Sequence, residues 1–190
     1  MLNFKNIFIN LVTIFAFFTL MMLGTWQIDR LGQKNDLLKK IQRVSEDITD
    51  LKDANIDDSN LDDWLYRKIK IHGDFISQEN IFVFTHLSDP RGKFGGAGYW
   101  VLNPFKSDEG NIIIINRGFI PQNIYDQFSS SANKYKENIV TGYVRKFEKE
   151  NIFTPDKNIE DRILYLFEKN DIKKLFRIKK IEPYFIDQVD

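Results

Sequence analysis

The chain has no cysteine and only two histidines among its 190 residues. The absence of cysteine excludes disulfides, thiol catalysis and cysteine-ligated zinc or iron–sulfur sites, and it is compatible with any redox compartment. His72 and His86 stand on or beside different predicted strands without clustered carboxylates, so no metal site is predicted. No Gly-x-Ser-x-Gly elbow or similar nucleophile motif occurs either, and the residues alone indicate no catalytic constellation.

An excess of charge of either sign is also lacking, because 27 lysines and arginines balance 27 aspartates and glutamates. Nucleic-acid-binding domains usually carry a basic excess, so nucleic acid is not an expected partner. The length and the 43% hydrophobic content are sufficient for one folded domain with appendages.

One long apolar run extends from residue 7 to residue 28. About twenty such residues in a helix span a bilayer core of roughly 30 Å, which predicts a transmembrane helix and a lipid bilayer as partner. The alternative is a cleaved signal peptide, but residues 23–26 offer no small-x-small cleavage site. Trp26 suits a membrane interface. No mitochondrial transit peptide precedes the span, which favours a bacterial membrane over the mitochondrial inner membrane.

The predicted organisation has four parts: an N-terminal tail (1–6), the transmembrane helix (7–28), an amphipathic helix and linker (29–60) and a β-rich domain (61–190). The apolar spacing predicts that the amphipathic helix continues out of the membrane to about residue 53. Five basic residues follow the span and only Lys5 precedes it. Positive-inside counting by itself would therefore place the bulk of the protein in the cytoplasm.

The β-rich domain is organised around a predicted hairpin from Gly98 to Pro121, with Gly110 supplying a positive φ in its loop. Four consecutive isoleucines, at 112–115, predict a central strand that is covered on both faces. The glycine-rich residues 86–98 join two strands and lack a phosphate-loop pattern, so a long mobile loop is predicted there. Further strands are predicted near 65–72, 81–85, 139–145, 163–167 and 184–186, and a short helix at 171–176 capped by Asn170 or Asp171.

Crossover helices are missing between residues 65 and 145, which predicts a mainly antiparallel α+β fold with helix at its ends. Two readings of Asn116-Arg117-Gly118 remain open. In the first, Arg117 caps or pairs at the rim of the sheet and Gly118 provides the flexibility for a turn before Pro121. In the second, these residues form a rim of the sheet that has a function. Gly142 within its strand indicates a β-bulge or a close backbone approach.

Taken together, these motifs resemble those of the Surfeit locus protein 1 family, membrane factors that assist assembly of haem-copper cytochrome c oxidase. The similar segments follow one another in the family's order over most of the chain. They are Leu23–Gln27 with Arg30, Tyr66–Ile71 with Gly73 and Phe75, Gly98-Tyr99 with Val101 and Pro104, Asn116–Pro121, Gly142 with Arg145, Phe153-Thr154-Pro155, and Glu182–Asp187.

The resemblance implies an inner-membrane protein whose folded domain lies in the periplasm or intermembrane space. It would help to place haem a in the catalytic subunit of the oxidase, as a chaperone-like factor and not as an enzyme. On this view Trp26, Gln27 and Arg30 line a haem or oxidase contact, in which the arginine pairs with a haem propionate and the indole packs on the macrocycle. The alternative is an aromatic-belt tryptophan beside a juxtamembrane arginine.

The sequence departs from the family pattern in two respects. The family's second transmembrane helix, expected after the position of Asp187 with an Asn-Asn-His motif implicated in haem binding, is not present in a sequence that stops at Asp190. The aromatic pair expected near residues 162–165 is kept only as Tyr165. We therefore expect the chain to dock on the oxidase but to bind haem poorly alone.

Two other function classes remain open. A membrane-anchored periplasmic scaffold or binding module without haem would be favoured if Arg117 and Arg145 lay on an exposed patch. A membrane-tethered hydrolase would require a pocket with convergent polar groups near His72 or His86.

Overall fold

The structure is a computed structural model that describes residues 4–44, 47–88, 94–129, 138–152, 154–155 and 157–189. The chain divides into two compact units, Met1–Arg43 and Val44–Asp190. The first unit consists of one helix, α1, which runs from Phe4 to Val44 and so ends at the start of the second. The second unit contains a mixed sheet with short helices. The predicted α+β class is confirmed.

Helix α1 is long and apolar enough to cross a membrane, and its apolar side chains are exposed. No proline interrupts it, so its backbone hydrogen bonds continue without a break. The hydroxyls of Thr13 and Thr19 each donate a 2.9 Å hydrogen bond to the carbonyl four residues earlier. These two hydroxyls are therefore satisfied by the helix itself, as a lipid environment requires.

The predicted continuation of the helix to about residue 53 is wrong from Ile48 onward. Residues Ile48–Asp50 form a strand, β1, and Leu51–Asp53 form a 3₁₀ turn. Leu51 is only 5% exposed and packs in the core of the second unit. The apolar spacing of residues 48–53 is compatible with an amphipathic helix. Burial of Leu51 and pairing of β1 with β2 determine the actual structure.

The remaining elements of the second unit follow β1 in chain order. They are α2 (Leu61–Trp64), β2 (Lys68–Phe75), β3 (Ile81–Leu87), β4 (Gly96–Ser107), β5 (Ile112–Pro121), a 3₁₀ turn (Gln122–Ile124), α3 (Tyr125–Ser129), β6 (Ile139–Lys146), β7 (Ile163–Leu164), α4 (Lys169–Phe176) and β8 (Tyr184–Gln188). The strand order is β1-β2-β6-β8-β5-β4-β3-β7. The pairs β1–β2, β3–β7 and β5–β8 are parallel, and the others are antiparallel, as predicted for most of the sheet.

An additional pairing between β2 and β4 closes five of these strands into a small barrel. Residues 68–72 of β2 pair with β6, and residues 73–75 pair with β4. The change of partner occurs at Gly73, where a Cβ atom would lie 2.0 Å from the backbone oxygen of Lys106. Only a residue without a side chain allows the two strands to approach this closely.

The barrel interior is filled by alternate residues of its five strands, because successive side chains of a strand point to opposite faces. Interior positions on β5 are Ile113 and Ile115, whereas Ile114 packs in a second cluster outside the barrel. All three are completely buried, which confirms the predicted central strand with two covered faces. The interior residues are Ile69, Ile71, Phe105, Ile113, Ile115, Val140, Val144, Tyr184 and Ile186, with Leu51, Ile56 and Leu61 in the same cluster.

The predicted hairpin is confirmed as β4 and β5, joined by residues 108–111 with Gly110 at φ +90°. The predicted strands at β2, β3, β6 and β8 are also confirmed. Strand β7 covers only Ile163–Leu164, and Glu168, instead of Asn170 or Asp171, caps helix α4. The predicted mobile loop is shorter than 86–98, because β3 extends to Leu87 and β4 begins at Gly96; its centre, 89–93, lies outside the described residues.

Replacement of Gly73 by alanine is expected to lower the free energy of unfolding by about 2 kcal/mol or more, because the added methyl group collides with backbone of β4. Asp74→Ala, at the next and exposed position of β2, provides the control. Urea unfolding of the full chain in detergent, followed by the fluorescence of Trp64 and Trp100, measures both variants. Equal midpoints for the two variants would show that the close approach at Gly73 does not limit stability.

Candidate functional site

Two of the predicted motif residues converge on Asp187 where strands β6, β8 and β5 lie side by side, and a third, Gly118, contacts one of them. Asn116 Nδ2 donates a 2.9 Å hydrogen bond to Asp187 Oδ1, and Arg145 Nε lies 3.2 Å from Asp187 Oδ2. The backbone N–H of Gly118 donates to Asn116 Oδ1 at 3.2 Å. Both carboxylate oxygens of Asp187 are thus engaged. We call Asn116, Gly118, Arg145 and Asp187 the strand-end cluster.

The strand-end cluster lies on the outer face of the barrel. Asn116 follows the interior residue Ile115, and Asp187 follows the interior residue Ile186. Strands β5 and β8 are parallel, with Asn116 opposite Asp187, so both strands become polar at the same level. Asn116 is buried, and the side chain of Asp187 is 32% exposed. Burial raises the pKa of Asp187, while the hydrogen bond from Asn116 and the positive charge of Arg145 act in the opposite direction.

Tyr66 extends this cluster through its contact with Arg145. The Arg145 guanidinium lies 5.0 Å from the centre of the Tyr66 ring. Tyr66 has φ +68°, a left-handed conformation that costs an L-residue about 1 kcal/mol or more. Backbone hydrogen bonds from Tyr66 N to Val144 O and from Val144 N to Arg67 O hold this conformation.

Arg117 belongs to the other face of β5 and does not join the strand-end cluster. Its guanidinium lies 5.0 Å from the centre of the Phe75 ring, which in turn packs edge-to-face on Phe105. Arg117 is half-buried, and Arg145 is paired with Asp187, so neither arginine lies on an exposed, uncommitted patch. One reading of the sequence placed Gly118 in a turn before Pro121. The structure shows instead that Gly118 continues strand β5, with φ +117°.

Two motif glycines allow close packing of neighbouring strands. A Cβ atom at Gly98 would lie 2.3 Å from the backbone oxygen of Ile120, and one at Gly142 would lie 2.2 Å from that of Asp187. The close-approach reading of Gly142 is therefore confirmed. Beside Gly98, Tyr99 packs against Tyr125 with ring centres 4.7 Å apart, and burial raises the pKa of both tyrosines.

The two motif prolines on strands and the one on a loop differ in their surroundings. Pro104 is buried opposite Ile114, and Pro121 ends β5 opposite Gly98. Pro155 is exposed on the connection between β6 and β7, and its neighbours Phe153 and Asp156 lie outside the described residues.

The predicted contact residues of the membrane helix, Trp26, Gln27 and Arg30, are all exposed on α1. The Arg30 guanidinium lies 5.4 Å from the centre of the Trp26 ring, one helical turn away. The indole remains 54% exposed. This pair therefore presents a flat aromatic surface and a positive charge together, at the end of the apolar run.

The histidines lie apart from each other on the sheet. His72 Nε2 is 3.6 Å from Asp50 Oδ2, and His86 Nδ1 is 3.4 Å from Ser88 Oγ. Within the described part of the chain, no group of three histidines, cysteines or acidic residues has an arrangement that could hold a metal ion.

Residues 14–190, which include every one of these motif residues, match the model of the SURF1 family. The chain belongs to the SURF1 family. It is 31% identical over 182 residues to Surfeit locus protein 1 of Gallus gallus, and this match covers 89% of the chain and 57% of the relative. It is 26% identical over 179 residues to a SURF1-like protein of Rickettsia bellii, covering 94% and 70% of the two sequences.

Human Surfeit locus protein 1 is 28% identical over 178 residues, which cover 87% of the chain and 57% of that relative. The chain thus spans less than two thirds of the length of these two vertebrate relatives, and 70% of the length of the Rickettsia bellii relative. Members of the SURF1 family are known as assembly factors of cytochrome c oxidase, rather than as catalysts.

Asp187 and Tyr66 lie in segments that resemble the family, but they are not predicted from the sequence as site residues. Asp187 ends the apolar segment Tyr184–Ile186 just as Asn116 ends the isoleucine run, and this shared pattern is a signal that two neighbouring strands become polar together. Tyr66 lies within a motif of the SURF1 family, but its left-handed backbone and its contact with Arg145 are visible only in three dimensions.

Replacement of Arg145 by glutamine is expected to raise the pKa of Asp187, because the substitution removes a positive charge that favours the carboxylate. Asp187 has a raised pKa in the folded state, so folding becomes less favourable as the pH rises from about 3.8, its ordinary value, through the folded value. In the variant this loss of stability extends to higher pH. The carbon-13 shift of the Asp187 carboxyl, assigned by comparison with Asp187→Asn, follows the titration directly.

Lys146→Gln is the matched control for Arg145→Gln, because it removes a neighbouring positive charge whose ion-pair partner is the exposed Asp62. The control should leave the titration of Asp187 unchanged. The same shift in both variants would contradict a specific pairing of Arg145 with Asp187.

Proposed function

We propose that this SURF1-family chain is a membrane-anchored assembly factor for cytochrome c oxidase that assists insertion of haem a into the catalytic subunit without turnover of its own. On this proposal α1 spans the inner membrane of a bacterium and the sheet domain lies in the periplasm. Membership of the family and the exposed apolar helix support the role and the anchor. The bacterial SURF1-like relatives support the bacterial membrane.

The observation that carries the proposal is the pair of Trp26 and Arg30 at the end of the apolar run. A helix that only anchors a domain needs an aromatic residue and a cation at the interface, but it does not need them stacked on one face. Stacking presents the indole and the guanidinium to the same partner. Gln27, which follows Trp26, adds an amide that can donate and accept hydrogen bonds.

These residues fit part of a haem a molecule. An arginine can bind a propionate through two parallel hydrogen bonds, and an indole can pack on the macrocycle. Residues 1–44 include no histidine, so the anchor supplies no imidazole for the iron. We therefore propose that Arg30 holds a propionate at the edge of haem a during transfer and that Trp26 packs on the face of its macrocycle. The anchor itself would not ligate the iron.

The periplasmic orientation can be tested with a single cysteine, because the natural chain has none. Asp58→Cys places a thiol at an exposed position of the sheet domain. A membrane-impermeant maleimide added to intact, outer-membrane-permeabilised cells is expected to label this variant. The control is a second variant, Asn3→Cys, which should be labelled only after lysis. The reverse pattern would place the sheet domain in the cytoplasm, as positive-inside counting indicates.

The role of the Trp26–Arg30 pair can be tested in a bacterium deleted for its own SURF1 gene. Restoration of this chain is expected to raise the haem a absorbance of isolated membranes, and Arg30→Gln is expected to lower it several-fold. Lys34→Gln, one turn further along the exposed helix, is the control and should behave as the unaltered chain. Equal haem a content with Arg30→Gln and the unaltered chain would refute a role for Arg30.

Purification of the unaltered chain from the same membranes distinguishes the two forms of the proposal. Recovery of the catalytic subunit together with haem a supports transfer of haem. Recovery of the subunit with a haem content that is independent of Trp26 and Arg30 would favour the alternative of a scaffold that works without haem.

A further inference from the structure

A cavity of about 480 Å³ lies at the end of helix α4, and basic side chains dominate its lining. The cavity is lined by Asn170, Lys173, Lys174, Arg177, Ile178 and Lys179. We call its four cations, Lys173, Lys174, Arg177 and Lys179, the α4 patch. A chain with zero net charge thus concentrates positive charge at one place. A concave, cationic surface of this kind suits a phosphate-bearing ligand.

The cations of the α4 patch are not paired with the described acidic side chains of the sheet domain. Within the described residues, none of the four forms an ion pair. The two acidic residues at the start of α4 are already engaged, since Glu168 accepts the backbone N–H of Asp171 and Asp171 pairs with Lys157.

The lysines are not needed to complete the end of the helix either. The backbone N–H of Arg177 donates to the carbonyl of Lys174, and that of Ile178 donates to the carbonyl of Lys173. These two bonds form the usual backbone closure of a helix C-terminus. The carbonyls of Lys173 and Lys174 are therefore satisfied by backbone, and the charged ends of these two lysines are available for another partner.

The backbone conformation of Arg177 is a second, independent indication. This residue has φ +57°, at the position that terminates α4, where glycine is strongly preferred. An arginine there costs stability relative to glycine. Backbone strain of this kind clusters at binding sites, and here it lies on the wall of a basic cavity.

We propose that the α4 patch binds the phosphate groups of anionic phospholipids in the bilayer that α1 spans. This inference rests on the membrane anchor proposed above. Residues 29–46 are all that joins the predicted span (7–28) to the first described residue of the sheet domain, so the anchor confines the α4 patch to within a tether's length of lipid headgroups. An acidic segment of a soluble protein has no such advantage.

The proposal can be tested with the full chain in lipid nanodiscs, in a Lys180→Cys background that carries a bimane fluorophore beside the patch. A fixed fraction of lipid with a nitroxide headgroup quenches the fluorophore when α4 lies on the surface. Quenching is expected to increase at least twofold when phosphatidylcholine is partly replaced by phosphatidylglycerol. It should fall again at high salt, because exposed charges are then screened.

Arg177→Gly is the decisive variant, because glycine relieves the left-handed strain and keeps the fold stable while it removes one cation. Each basic residue near an anionic membrane contributes about a fivefold increase in association. We therefore expect Arg177→Gly to lower lipid-dependent docking about fivefold, and addition of Lys173→Gln and Lys174→Gln to lower it on the order of a hundredfold. Lys106→Gln with Lys149→Gln, two exposed cations outside the patch, is the matched control and should dock normally.

Quenching that does not depend on phosphatidylglycerol, or that survives in the triple variant, would overturn the proposal. A patch variant that docks on lipid normally but no longer recovers the oxidase subunit from membranes would also overturn it, in favour of an acidic protein partner. Failure of the unaltered chain to insert into the discs would instead contradict the proposed membrane anchor. The lipid-docking proposal, which rests on that anchor, would then be contradicted as well.

Discussion

Closure of the barrel depends on one strand, β2, changing its partner within eight residues. Its first part pairs with β6 and its last part with β4, and the change is possible because backbone meets backbone at Gly73. Closure encloses the interior side chains and places β5 between β4 and β8. The outer face of the same strands then carries the strand-end cluster. The position of Asn116 beside Asp187 is thus a consequence of how the barrel closes.

Much of this fold can be predicted from strong local signals. The isoleucine run with Gly110 before it predicts the central hairpin, and alternation predicts β2. The prediction fails where local and tertiary preferences conflict: Ile48 and Leu51 fit a helical spacing, but the sheet and the core recruit them. Closure is not visible in the sequence, because the close approach at Gly73 depends on a strand more than thirty residues away.

The candidate site could be predicted in part, for a related reason. Asn116, Gly142 and Arg145 are recognisable from family motifs, but their partners lie on other strands and depend on register. In the structure Asn116 and Arg145 both bind the carboxylate of Asp187, and Gly142 packs against its backbone, so these residues hold strands β5, β6 and β8 together. Trp26 and Arg30 on α1 show the opposite behaviour, since their exposed surfaces are not covered by their own unit. The motif residues of this chain therefore fall into two groups, one packed within the sheet domain and one exposed on α1.

The two ends of the sheet are formed by its shortest strands. Strand β1 has three residues and β7 has two. Unpaired backbone along a long edge strand is a template on which another chain can add a strand, and short edges offer little such template. The brevity of β1 and β7 therefore leaves little backbone on which a second copy could extend the sheet from either end.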